Sequence, residues 1–337
     1  MKKRIVSVIL ASVMALGLVA CAGGEAATAD NSAAATESAD AGSGDSYTVG
    51  ICQLVQHPAL DAATKGFKDS LTELLGDRVS FDEQNAAGDS ATCATIANQF
   101  VASNVDLIMT NATAPLQAAA AATNEIPILG TSVTDYATAL EIDNWSGSTG
   151  VNISGTSDLA PIAEQAAILN ELFPSAQQIG ILYCSAEPNS QYQSSEMTKA
   201  LSTYGMTNVK EYTFADSNDI ASVTTTAAAE CDVIYVPTDN TAASNAEVIN
   251  NVCLPAGVPI IAGEEGLCKG CGVATLSIDY YDLGYATGKM AYEVLVNGAD
   301  ISTMEVQYAP KVTKEYNATI AEELGIDIPS GYEAIAE

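Results

Sequence analysis

Val49-Gly50-Ile51-Cys52-Gln53-Leu54 is a short, nearly continuous apolar run, and beyond Gln56-His57-Pro58 the chain turns to a helical pattern that lasts to Leu75. The run reads as a strand buried on both faces, and Leu60, Ala63, Phe67, Leu71 and Leu74 recur at the three- and four-residue spacing of a helix that Pro58 opens. The same alternation continues. Asp106–Thr110, Ile126–Gly130, Ile179–Cys184, Asp232–Pro237 and Val258–Gly263 read as further strands, each followed by a longer segment. Strands alternating with helices predict an α/β fold with parallel sheets covered on both faces.

The order repeats about 130 residues later. Val49-Gly50-Ile51-Cys52 is answered by Ile179-Gly180-Ile181-Leu182, Asp106-Leu107-Ile108-Met109 by Asp232-Val233-Ile234-Tyr235, and Ile126-Pro127-Ile128 by Val258-Pro259-Ile260. Matched landmarks at nearly one offset predict two lobes of one topology, which agrees with a length of 337 residues.

Composition narrows the function. Twelve Lys and Arg against 42 Asp and Glu give a net charge of −30, and three of the twelve, Lys2, Lys3 and Arg4, stand at the N-terminus. So acidic a surface repels phosphate backbones and anionic headgroups, which excludes a nucleic-acid partner. Ile5–Ala20 is uncharged and mostly apolar, too short for a membrane-spanning helix, and leads into Cys21. A basic start and an apolar core make an export signal over residues 1–20. Leu18-Val19-Ala20-Cys21 resembles the lipobox of bacterial lipoproteins, with Cys21 as the lipidated residue. Residues 22–46 contain only Ala, Gly, Ser, Thr, Asn, Asp and Glu, the composition of a flexible tether. The expected product is a lipid-anchored globule acting outside the membrane.

Seven cysteines follow Cys21, an odd number that is no disulfide framework. Most lie in apolar stretches and read as core residues. Cys268-Lys269-Gly270-Cys271, ahead of an expected strand at Val273–Ile278, admits inert thiols, a local disulfide, or redox or metal chemistry. With His57 the single histidine, zinc is short of ligands, and no cofactor is expected.

In open parallel sheets the ligand lies beyond the carboxyl ends of the strands. The loops nominated are Gln56–Pro58, Asn111–Pro115 and Thr131–Asp135 from the first lobe, and Ser185–Ser190, Thr238–Thr241 and Glu264–Gly266 from the second. Asn111, Ala112 and Thr113 precede a helix that Pro115 would open, and Thr131-Ser132 repeats that chemistry. Free N–H groups and hydroxyls there form a cradle for a carboxylate, although such caps also serve only their own helix. Asp239, Glu264, Glu265 and Asp279 supply acids on the facing side. Anion cradle and carboxylates together suit a zwitterion, an amino acid. Trp145, the only tryptophan, falls near the expected first crossing, as a reporter of closure or a surface anchor.

Several blocks in order resemble one family: Val49-Gly50-Ile51, Gln56-His57-Pro58-Ala59-Leu60-Asp61, Thr110-Asn111-Ala112-Thr113-Ala114, Val236-Pro237-Thr238-Asp239-Asn240, Gly263-Glu264-Glu265-Gly266 and Ile278-Asp279-Tyr280-Tyr281. The family is the substrate-binding lipoproteins of ABC importers, in the branch linked to tryptophan and tyrosine. The resemblance implies a two-lobed type I periplasmic-binding-protein fold, each lobe a parallel sheet flanked by helices, closing on a ligand for an ABC permease and its ATPase, as a monomer. It implies a first lobe of 47–152 plus 278–300 and a second of 153–277 plus 301–337. On that model Ala112, Thr113 and Ser132 hold the α-carboxylate. Asp239, helped by Asn189 or Glu264, holds the ammonium, Gln56 and His57 border the side chain, and Ser190 and Asn240 stand in the same loops. The Cys268–Cys271 pair departs from the pattern.

Rival readings remain at this level. An enzyme lacks its usual signatures here: no Gly-x-Ser-x-Gly elbow, no phosphate loop, and only adjacent acids at Glu264-Glu265. A surface adhesin or sensory receptor could share the fold, and the ligand could be a branched amino acid, a nucleoside or a sugar, for which Tyr192, Tyr280 and Tyr281 offer platforms.

Overall fold

The computed structural model describes residues 45–336. The proposed leader, Cys21 and nearly all of the tether lie outside the described residues. In chain order the elements are β1 (Tyr47–Gln53), α1 (Pro58–Leu75), β2 (Val79–Asn85), α2 (Ser90–Ser103), β3 (Leu107–Asn111), α3 (Thr113–Ala122), β4 (Ile128–Val133), α4 (Tyr136–Ala139) and β5 (Ile153–Ser157). Then come α5 (Ile162–Leu172), β6 (Ile179–Cys184), α6 (Pro188–Ser202), β7 (Val209–Phe214), α7 (Ile220–Glu230), β8 (Val233–Val236), α8 (Asn240–Ala243), α9 (Ala246–Ala256), β9 (Ile260–Ala262), α10 (Glu265–Cys271) and β10 (Ala274–Ser277). The chain ends with α11 (Tyr280–Leu295), β11 (Gln307–Tyr308), β12 (Thr313–Tyr316), α12 (Ala318–Glu323) and β13 (Glu333–Ala334).

Two sheets form, in the orders β11-β5-β4-β3-β1-β2 and β13-β12-β10-β9-β8-β6-β7. The repeat is carried in the register. Val49 pairs with Leu107 as Ile179 pairs with Val233, and Ile108 pairs with Ile128 as Ile234 pairs with Ile260. All these pairs are parallel; the one antiparallel pairing among the described strands is β10 with β12, and β13 follows β12 in parallel. In the first lobe Val49, Ile51, Leu107 and Met109 pack with Phe67, Leu71 and Met290 on one face. On the other, Ile108 and Ile128 pack with Phe100, Leu116 and Tyr136. The second lobe is layered in the same way.

The boundaries differ from the sequence expectation. Ile153–Ser157, assigned to the second lobe, is β5 and pairs with β4, and β11, also assigned there, pairs with β5. The three crossings therefore fall after Ser157, after Ser277 and after Tyr308. Ile-Ser-Gly-Thr-Ser carries no apolar run because hydroxyl contacts fill the space: Ser154 donates to the Met304 carbonyl (2.9 Å), and the Thr156 and Thr287 hydroxyls meet at 2.8 Å. Gly155, at φ +144°, lies so close to β4 that a Cβ would stand 2.0 Å from the Gly130 carbonyl oxygen.

The last long helix returns to the first lobe. A Cβ on Gly284 of α11 would stand 1.9 Å from the Ala63 carbonyl oxygen of α1, and one on Gly66 would stand 2.1 Å from that of Tyr281. Trp145 stacks on Tyr136 (6.4 Å, 20°) and packs against the first-lobe core. The seven described cysteines are free and buried. Cys268 and Cys271 lie within α10, and burial raises both thiols. Among the described residues no helix is long and apolar enough to cross a membrane.

Candidate functional site

All six nominated loops follow carboxyl ends of strands: β1, β3 and β4 in one lobe, β6, β8 and β9 in the other. The lobes meet across them. His57 Nε2 lies 3.3 Å from Asn240 Oδ1, and a Cβ on Gly266 would touch that of Pro58 at 3.5 Å. A cavity of about 430 Å³ opens at the interlobe mouth, lined from one side by Leu54, Val55 and Ala114 and from the other by Glu187, Asn189 and Asn240. That size accommodates a small molecule.

The first-lobe loops are strained. Ala112 has φ 102° and ψ 168°, and Ser132 has φ 54°. Such conformations cost about 1–3 kcal/mol each in a non-glycine residue and gather where ligands are clamped. The Ala112 N–H donates to the Thr131 carbonyl (3.0 Å), which ties the two loops together. That bond also removes the Ala112 N–H from the expected cradle. Helix α3 has no side-chain cap, so Thr113 at its first turn stays uncapped. Ser132 Oγ is buried without a partner.

Beside Ser132, at the end of the adjoining strand, lies Asp158, 4% exposed. The Tyr280 hydroxyl donates to its Oδ2 (3.0 Å), while Oδ1 is buried with no partner. Burial pushes this carboxyl up to about 6. Sequence reasoning passed over Asp158, because one acid among 42 carries no signal and the strand before it does not look like one.

The acids expected to meet an ammonium are already engaged. Asp239 Oδ2 accepts from the Cys184 N–H and the Ser190 hydroxyl (both 2.7 Å), and Oδ1 from the Ala242 N–H (2.8 Å). Burial and the neighbouring Glu187 raise its carboxyl. Asp239 therefore pins second-lobe loops together, with Ser190 as one of its donors. Glu264 caps α10, accepting from Gly266 N–H (2.6 Å) and Leu267 N–H (2.5 Å), and burial raises it to about 7. Asp279 is exposed, caps α11, and lines a separate cleft with Glu265, Asp282 and Lys311.

Other expectations shift too. Gln56 is exposed and lines an outer groove with Asp61, Glu83 and Asn85. The Asn111 amide donates to the Leu60 carbonyl (2.7 Å) and Thr64 Oγ1 (2.9 Å), holding α1 to β3. Thr131 Oγ1 is taken up between strands by Thr156 (3.2 Å). Asn189 and Asn240 line the cleft, with Glu187 behind them and His57 facing Asn240, while Thr113, Ser132 and Asp158 stand at the neighbouring ends of β3, β4 and β5. Glu187 accepts from the Asn189 amide (3.1 Å), the Asn240 N–H (2.9 Å) and amide (2.8 Å), and the Thr241 N–H (2.8 Å) and hydroxyl (2.7 Å). Among the described residues no group of three or more His, Cys, Asp or Glu is placed to hold a metal ion.

Duplicated α/β lobes joined by three crossings, with polar loops facing across a cleft, define a two-lobed protein that takes a small solute between its halves. This chain belongs to the ABC transporter substrate binding protein family, whose model matches residues 48–336. It is 36% identical over 300 residues to a tyrosine-binding protein of Clostridioides difficile, covering 87% of this chain and 84% of that one. It is similar to the structure of an ABC domain in complex with L-Trp from Streptococcus pneumoniae: TM-score 0.82, 34% identity, 86% of this chain and 100% of that one. A substrate-binding protein with adhesive properties from Clostridium difficile, in a ligand-free, open structure, gives a TM-score of 0.65 at the same 34% identity, over 86% of this chain and 99% of that one.

Proposed function

We propose that this substrate-binding protein captures an amino acid with an aromatic side chain between its lobes, hands it to an ABC permease, and catalyses no reaction. The observation that carries the reading is the pair of buried, unpartnered oxygens Ser132 Oγ and Asp158 Oδ1 on adjoining strand ends beside the uncapped start of α3. A hydroxyl with helix N–H groups suits a carboxylate, and a carboxylate oxygen without a donor suits an ammonium. The aromatic preference is supported by the tyrosine-binding and L-Trp-bound relatives. Anchoring through Cys21, action outside the cytoplasm and a monomeric state belong to the same proposal.

Thermal unfolding of the refolded, ligand-stripped protein with tyrosine, tryptophan, phenylalanine, leucine and a nucleoside tests it. A ligand that binds only the folded state adds about 2.7 kcal/mol at a hundredfold excess over its dissociation constant. Selective stabilisation by aromatic amino acids is expected; a response to the nucleoside alone contradicts the reading. A second role as an adhesin has one observation behind it, the adhesive properties of the Clostridium difficile neighbour.

A further inference from the structure

His57 stands between β1 and α1 at the N-cap position of the helix, makes no capping bond through its side chain, and is 7% exposed. Its one ring contact is Nε2 to Asn240 Oδ1, across the cleft. The orientation of Asn240 is fixed from behind, because its amide nitrogen donates to Glu187 Oε2 and its oxygen must then face the ring. An amide oxygen only accepts, so Nε2 carries the proton and Nδ1 of the neutral imidazole is a bare acceptor. Burial lowers the affinity of His57 for a second proton and keeps the ring neutral at pH 7. Nδ1 is buried and has no partner. In a dry site such an acceptor discriminates strongly between an occupant with a matching donor and one without.

We propose that His57 is a specificity-determining residue whose Nδ1 accepts a hydrogen bond from the ligand's ring, a phenol O–H or an indole N–H, so that donor-bearing rings are preferred over phenyl. This rests on the amino-acid reading above and deepens it. The second lobe takes part indirectly, since the Glu187–Asn240 chain sets the tautomer that makes Nδ1 an acceptor.

Titration calorimetry of the whole protein with tyrosine, O-methyltyrosine, tryptophan, 1-methyltryptophan and phenylalanine tests the proposal. Tyrosine or tryptophan is expected to bind at least about tenfold more tightly than both its methylated form and phenylalanine. In H57L that ratio falls to near one, while phenylalanine affinity changes far less. A residue that only latches the lobes would weaken all five ligands equally and leave the ratio intact, which overturns the proposal. Equal affinities in the unsubstituted protein also overturn it, without needing any variant, and leave the aromatic amino-acid reading standing. Binding of none of the five overturns both.

Discussion

Asp158 has one carboxylate oxygen on the Tyr280 hydroxyl and the other buried without a hydrogen-bond partner, with the Thr134 side chain close enough to offset part of the cost of burial. With its value raised to about 6, the folded, empty protein keeps this proton up to about pH 6 where an unfolded chain has already lost it, and the stability this gives is fully present below the ordinary carboxylate range and lost as pH rises through about 6. A ligand ammonium favours the opposite, ionised form. Binding therefore takes up the cost of ionisation, and the apparent dissociation constant at pH 5 is expected to be about tenfold higher than above pH 7, measured by calorimetry. In D158N the affinity should fall and the pH slope should vanish; a slope that persists would place the titrating group elsewhere. The residue scale is also where sequence reading was weakest. Asp239, Glu264 and Asp279 looked available because their loops were correctly placed, yet each caps its own helix, and only coordinates distinguish a spent oxygen from a free one.

Elements were legible in proportion to how fully they are buried. β1, β3, β4, β6, β8 and β9 announce themselves as apolar runs, and Pro58–Leu75 is a helix to the residue. β2 and β7 stand at sheet edges with alternating exposure, so Val79–Asn85 and Val209–Phe214 read as polar segments. β5 is buried but satisfied by hydroxyls, which hid it and moved the expected crossing forward by five residues, Ile153–Ser157. The α1–α11 contact rests on a physical limit that the sequence could not reveal, the absence of side chains at Gly66 and Gly284. Gly284→Ala would drive a methyl into the Ala63 backbone, and overpacking of this kind costs about 1–3 kcal/mol. Urea unfolding should show a lower midpoint at unchanged slope; an unchanged midpoint would mean the helices part without cost.

At the scale of the whole molecule, the duplicated registers give two halves, and the contacts between them include His57 with Asn240 across the mouth, Pro58 beside Gly266, and an apolar cluster at the crossings in which Ala59 and Ala63 meet Ala160. Halves joined in this way interconvert between open and closed arrangements, and a ligand that touches both shifts the balance by its differential affinity. The most direct test of capture between the lobes is small-angle scattering of the refolded, ligand-stripped protein, with and without a saturating aromatic amino acid. A smaller radius of gyration is expected when the ligand is bound. An unchanged radius at demonstrated saturation would contradict closure on the ligand.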